Sequence, residues 1–429
     1  MQFRLPDSLP KTPSAAFDAL AGSNGLFWLD SGKATAHHAR YHFIGCEPSS
    51  RFESSDDALF DDLRGFLSAF AHDAQTPVPA PRVVGYLSYD AGRFIERIHN
   101  TPRPELPDAV LMAYDACLTF DMEEGCSWVS AVSQQAADEL LHKLSQPPPP
   151  MTALPASGNP PHFELTRESY VEQIRTIQEL IAHGDVYQVN LSHRASLKLN
   201  ESTSHGALYQ RLRNRHPAPF GAFLDTGKLT LLSNSPEAFL SVDLRPESAS
   251  VSTWPLKGTR PVSADPNELM KDPKERAEHV MIVDLERNDL GRIAVPGSIH
   301  VPELLQVVSH STVHHLESRV EGKPKATVDL VDILRATFPG GSITGAPKIR
   351  AMEIIAEIEQ APRGPYCGAL GYVAHGGMQS HWSIPIRTAV IQESELSFRV
   401  GGGIVADSNP QAEYRETLVK AQAFLDVLR

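Results

Sequence analysis

The sequence predicts an α+β fold, with antiparallel sheets packed together and helices outside. Strand-like and helix-like stretches alternate irregularly rather than as βαβ units. Several strand pairs turn on glycine-containing dipeptides, as in "GAFLDTGKLTLLSNSPEAFLSV" around Thr226-Gly227 and "YCGALGYVAHGGMQSHWSIPIRTAVI" around Gly376-Gly377. A chain of 429 residues, 41% hydrophobic and 21% charged, has room for two domains or one large one.

Taken in order, the N-terminal part mixes strands such as "GLFWLDS" and "RVVGYLSYD" with one helix, "DDALFDDLRGFLSAFAHD". Ionisable clusters are sparse there, so residues 1–145 read as a scaffold or regulatory part. The stretch 146–164 is a linker or loop. Pro147 to Pro150 cannot donate backbone hydrogen bonds and favour extended geometry. Residues 165–429 form the C-terminal part, and the two parts are expected to pack as one body. It opens with a helix in which Tyr170, Ile174, Ile177 and Ile181 recur at helical spacing, stopped by Gly184. "VYQVNLSHRASL" follows as a strand. "DPKERAEHVMIVDLERNDL" and "PKIRAMEIIAEIEQA" read as helices. In the last helix, Tyr414, Leu418, Ala421, Leu425 and Leu428 form the apolar stripe predicted to be buried.

The 39 basic and 52 acidic residues give a formal net charge of −13. That argues against nucleic acid or an anionic membrane as the main partner. Cys46, Cys117, Cys126 and Cys367 make no metal or disulfide pattern. The N-terminus lacks a signal-like apolar run and no run is long enough to span a bilayer, so a cytoplasmic location is expected.

Several constellations carry chemistry. Lys257, in "TWPLKGTRP", stands between Pro255 and Gly258, as either a surface turn or a reactive amine. Glu413, Glu416 and Lys420 share one face of the last helix, as either a solvated ion-pair face or carboxylates for a metal beside an anion-holding lysine. Glu275, Glu278 and Glu286 lie among apolar residues, and a partly buried carboxylate needs a cation or a proton. Gly401, Gly402 and Gly403 allow a close backbone approach or a bulge. "FPGGSITGAPKIRAMEII" fails as a Walker A loop, because Ala346-Pro347 precede Lys348 and Ile349 follows it. It leaves a helix start preceded by Ser342 and Thr344, as either an oxygen-binding site or a capped turn. Of His314 and His315, one is expected to face a pocket or the core and the other to face away. Arg387 on an apolar strand needs an anion, from the protein or from a substrate. Glu237, after Pro236, is either a proton donor or a surface residue.

These stretches, in this order, resemble the chorismate-utilising enzymes. The resemblance runs through "GDVYQVNLSHR", "SNSPEAFL", "PLKGTRP", "AEHVMIVDLERNDLGR", "VHHLES", "FPGGSITGAPKIRAMEII", "RGPYCGALGY", "IRTAV" and "GGGIVADSNPQAEYRET". It implies the large chorismate-binding fold. It also implies Mg²⁺ held by Glu278 and Glu416 with Glu413 close by. Tyr366, Arg387, the Gly401–Gly403 backbone and Lys420 would hold the substrate carboxylates, and Ser342 and His315 would lie along the ring. Two positions sort the family's reactions. Gln188 stands where water-adding members resemble one another in carrying a lysine base. "PLKGT" is similar to the "PIKGT" of members that aminate chorismate at C4, and differs from the "PIAGT" of those that make anthranilate. The resemblance therefore implies Lys257 as a nucleophile at C2, Glu237 as general acid, and 4-amino-4-deoxychorismate as product. It implies ammonia from a separate glutamine amidotransferase subunit, since no nucleophilic-cysteine elbow is present. "FWLDSG" departs from the "LLES" of members under tryptophan control, which puts such control in doubt.

Overall fold

The computed structural model describes residues 1–32, 40–70, 76–98, 101–102, 104–148, 160–309 and 313–428. Most of the proline-rich stretch, 149–159, lies outside the described residues.

Two antiparallel sheets organise the chain, one of 12 strands and one of 10. The predicted hairpins form. Phe220–Asp225 pairs with Thr230–Ser235, and Ala369–Ala374 pairs with Gln379–Ser383 across the Gly376-Gly377 turn. Each sheet takes strands from both sides of the proline-rich stretch. Phe27–Asp30 pairs with Phe220–Asp225 in the first sheet, and Pro81–Leu87 pairs with Ala369–Ala374 in the second. The parts before and after the prolines therefore share their sheets.

The helices follow local sequence signals. Arg167–His183 starts on Thr166, whose side chain accepts from Ser169 N–H, and ends on left-handed Gly184. It buries Tyr170, Val171, Ile174 and Ile177. Pro273–Ile293 starts on Asp272, which accepts from two backbone N–H groups, with Pro273 in the first turn. Lys348–Glu359 and Pro410–Leu428 complete the frame around the site.

The last helix turns a different face inward from the one its leucines suggest. Thr417, Ala421, Phe424 and Val427 are buried, whereas Leu418 is 37% exposed. Phe424 stacks on Phe398 with ring centroids 4.8 Å apart, and this large aromatic contact sets the helix rotation. Tyr414 and Leu425 are half-buried on the flank.

Candidate functional site

The site lies where the two sheets meet. Glu237 sits in the crossing between them, after Thr230–Ser235 of the first sheet and before Ala238–Asp243 of the second. The crossing is fixed by backbone bonds: Glu237 N–H donates to Ser235 Oγ (3.2 Å), and Ile384 N–H donates to Glu237 O (3.1 Å). The carboxyl group is therefore buried, only 5% exposed, and not on a strand edge. Ser342 Oγ donates to Glu237 Oε1 at 2.6 Å. Burial pushes the Glu237 carboxyl up to about 7, while the Ser342 bond and the charge of Lys257 pull the other way.

Lys257 comes from strand Leu256–Pro261, opposite Leu316 of Val313–Gly322. The pairing slips between Lys257 and Arg260, and Gly258 takes φ +68° there. A side chain at 258 would also meet Glu275 Oε2 at 2.9 Å and Leu269 at 3.0 Å. Lys257 Nζ donates to Ser342 O at 3.2 Å. Burial lowers the Lys257 pKa, opposed by the carboxylates of Glu237 and Glu278. One residue, Ser342, thus touches both the candidate acid and the candidate nucleophile.

Ser342 is not the helix cap that its sequence position suggests. It lies in a short 3-10 turn, Gly341–Ile343, and helix Lys348–Glu359 starts from Pro347 with no side-chain cap. Thr344 is no cap either: its Oγ1 donates to Gly340 O at 3.0 Å. The two histidines are both buried, at 5% exposure each, so neither is a surface residue. His315 Nδ1 lies 2.7 Å from Gly258 O, next to Lys257. His314 is spent on Ser309 Oγ (2.8 Å) and Val262 O (3.2 Å).

Gly401, Gly402 and Gly403 lie on strand Glu395–Ile404, opposite Ser192, Leu191 and Asn190. Lys420 Nζ donates to Gly401 O at 2.8 Å and pairs with Glu416 at 2.8 Å. A Cβ on Gly402 would stand 3.5 Å from Glu413 Oε2 and 3.6 Å from Lys420 Nζ, so both side chains of the last helix reach over this strand. A Cβ on Gly403 would meet Gln188 Nε2 at 2.7 Å. Gln188 is fully buried, yet among the described residues neither polar atom of its amide has a partner. Such a group calls for a ligand or water. The sequence marked Gln188 only as a non-base.

Glu278 is half-buried on helix Pro273–Ile293. Its carboxyl is raised by burial and by the neighbouring charges of Glu275 and Asp407, against Lys257 and Lys274. Lys274 Nζ stands between Asp407 (3.0 Å) and Glu278 (3.8 Å). Burial and the charge of Glu416 raise the Glu413 carboxyl, whose Oε1 accepts from Ser408 Oγ at 2.8 Å. Among the described residues, no group of three or more His, Cys, Asp or Glu side chains is arranged as a metal cage. Mg²⁺ takes one or two protein carboxylates and completes its shell with water and substrate oxygens, and Glu278 and Glu413 are donors of that chemical type. Crowded carboxylates whose charge is disfavoured are the groups such an ion would relieve.

Arg387 is not within a strand. It occupies the bend before Thr388–Gln392, at φ +49°. Burial alone lowers its pKa, and among the described residues no carboxylate pairs with it. Tyr366 is half-buried against the main core, and burial raises its phenol well above the usual value. The geometry links Glu237, Lys257, Ser342 and His315, and separately links Gly401, Gly402, Glu413, Glu416 and Lys420. Lys257 joins the two groups through the fields of Glu278 and Lys420. Tyr366 and Arg387 have no direct contact with either group among the described interactions.

Among the described residues, no helix is long and apolar enough to cross a membrane. The family model for chorismate binding enzymes matches residues 25–426. Aminodeoxychorismate synthase component 1 from Klebsiella aerogenes is 38% identical, over 98% of this chain and 98% of that one. Anthranilate synthase component 1 from Streptomyces coelicolor is 36% identical, over 99% and 88%. The crystal structure of anthranilate synthase component I from Streptococcus pneumoniae TIGR4 superposes with a TM-score of 0.81 at 29% identity, covering 100% of this chain and 99% of that one. The chain belongs to the family of chorismate binding enzymes, and it is a chorismate-utilising enzyme.

Proposed function

We propose that the chain aminates chorismate at C4, giving 4-amino-4-deoxychorismate. The observation that carries this reading is Ser342 bonded at once to Glu237 and Lys257, with the acid's pKa raised and the amine's lowered. An acid that stays protonated near neutrality and an amine that loses its proton easily suit one substitution. The neutral Lys257 amine attacks C2. The ring double bonds shift, and the C4–O bond breaks. Glu237 gives its proton to the departing hydroxyl, which leaves as water. Ammonia then bonds to C4, the double bonds shift back, and the C2–N bond breaks to return Lys257.

Glu278 and Glu416, with Glu413 beside them, would hold Mg²⁺. When bound, the ion supplies charge neutralisation at the ring carboxylate and draws electron density from the ring. Arg387, with no carboxylate partner among the described residues, suits a substrate carboxylate, as do Lys420 and the Gly401–Gly403 backbone. Tyr366 would add a hydroxyl contact, and His315 would lie along the ring. Gln188 has no proton-abstracting group, which disfavours attack by water.

The ammonia comes from a separate glutamine amidotransferase. In support, Cys46, Cys117 and Cys367 are buried, and burial pushes their thiols up to about 11, 12 and 12, so none is an activated nucleophile. The "component 1" in the relatives' names agrees with a divided enzyme. The chain works in the cytoplasm on this reading.

The test is a product assay with chorismate, Mg²⁺ and an ammonium salt at mildly alkaline pH. Mass spectrometry should find a product one mass unit lighter than chorismate. Fluorescent anthranilate with pyruvate would move the chain to amination at C2 and leave Lys257 without a role. Binding without turnover, with the amidotransferase present as well, would reduce it to a chorismate-binding subunit.

A further inference from the structure

The turn that carries Ser342 is itself held from behind. Gly341 N–H donates to Glu286 Oε1 at 3.0 Å, a bond buried in the interior. A Cβ at Gly341 would stand 2.6 Å from Leu285 Cδ2 and 3.0 Å from Glu286 Oε1. The turn therefore rests directly on helix Pro273–Ile293, with no room to shift toward it. Glu286 is 3% exposed and is one helical turn before Asp289, which is 4% exposed. Lys348, from helix Lys348–Glu359, pairs with Asp289 and donates to Thr337 O at 2.9 Å. The charges facing Glu286 are thus Asp289 on its own helix, Lys348 on the next, and Glu237 from the sheet crossing. Two carboxyls share one ammonium, so the cluster favours keeping a proton. Burial and Asp289 push the Glu286 carboxyl up.

We infer that Glu286 is a positioning residue for the chemistry: by holding Gly341 N–H it sets the turn from which Ser342 grips both Glu237 and Lys257. This rests on the proposed roles of those two residues. A group that fixes a reacting constellation from behind contributes to turnover more than to substrate affinity. The charge of Glu237 raises the Glu286 carboxyl in turn, so the two carboxyls titrate against each other.

The test compares Glu286→Ala and Glu286→Gln with wild type, in the full chain with Mg²⁺, for kcat, KM for chorismate, and the pH profile. Glu286→Ala should lower kcat about tenfold while KM moves by less than about twofold. Glu286→Gln keeps an acceptor for Gly341 N–H but loses the charge. It should keep most of kcat and move the alkaline limb about half a pH unit lower, since Glu237 then ionises more easily. Wild-type kcat and pH profile in both variants would overturn the inference, as would a rise in KM alone with the Gln profile unmoved. If the Ala variant does not fold, the Gln profile decides: a shifted limb supports the inference and an unmoved one overturns it. Glu237→Gln is run alongside. Wild-type turnover in that variant would remove Glu237 as the acid, and the kcat of Glu286→Ala would then decide the inference without the limb.

Discussion

Two buried charge clusters in this molecule differ in what they leave unpaired. Glu359 lies between Arg363 (2.7 Å) and Arg399 (2.8 Å), and also accepts from Ser192 N–H (2.8 Å). Against the burial that would raise it, the two arginines hold this carboxyl below its usual value. The arginines spend their remaining N–H groups on Ile343 O, Asn190 O and Pro362 O. That cluster is closed, and it ties together a helix, two strands and the loop beyond. The site around Ser342 is open. Glu237 is pushed toward its neutral form and Lys257 likewise. Outside those direct contacts, and among the described residues, Arg387 has no carboxylate partner and the Gln188 amide has no hydrogen-bond partner. The same chain satisfies one set of buried charges and, on the proposed function, leaves the other for the substrate. A substrate with two carboxylates fits the open set.

The largest effect that separates the two clusters is catalytic. Lys257→Ala should lower amination by at least about a hundredfold without loss of fold, measured as product formed by a protein with wild-type circular dichroism. Glu237→Gln should cost about a hundredfold or more and remove the alkaline limb near pH 7 expected of the wild type. The limb falls with rising pH because the acid must be protonated to act. Next in size is a stability effect at the closed cluster. Glu359→Ala leaves two arginines buried and unpaired, and should destabilise by about 3–5 kcal/mol in denaturant unfolding. On its proposed role in holding a substrate carboxylate, Arg387→Ala should raise KM for chorismate about tenfold while stability holds or rises, since among the described residues no carboxylate pairs with it. Loss of stability as large as that of Glu359→Ala would show that Arg387 belongs to a closed cluster after all.

The two clusters also differ in the pH dependence of stability. The Glu237 carboxyl is raised from 4.5 unfolded to about 7 folded, so folding binds a proton between those values. Its contribution is fully present below the unfolded value and is lost as pH rises through about 7. Glu237→Gln should therefore gain thermal stability relative to wild type above neutrality and gain none below the unfolded value. Glu359 has the opposite sign: its contribution is present above the unfolded value and is lost as pH falls through its lowered folded value.

What the sequence showed of this follows physical range. Local signals are legible: Gly184 marks a helix end because capping acts within a few residues, and the Thr166 and Asp272 caps in the structure have the same short range. The Thr226-Gly227 and Gly376-Gly377 turns mark hairpins for the same reason. Lys257 stood out because Pro255 and Gly258 constrain its neighbours. Contacts between distant segments did not show. Asp30 pairs with His42 at 3.0 Å and with Arg213, in a region the sequence marked as poor in ionisable clusters. Those residues are far apart in the chain and each looks ordinary alone. The role of Ser342 was hidden likewise, because its partners come from positions 237 and 257. The inward face of the last helix was misread because leucine count outweighed one aromatic, Phe424, whose stacking partner lies on another strand.

The central claim is that Lys257 bonds to the substrate, and the most direct measurement is a search for that bond. The enzyme is incubated with chorismate and Mg²⁺ without ammonia, quenched in acid, and examined by intact mass and peptide mapping. The account predicts a mass increase of chorismate less water, confined to the peptide holding Lys257 and absent from Lys257→Ala. A wild-type enzyme that aminates chorismate but yields no adduct, together with a Lys257→Ala protein of undiminished activity, would contradict it.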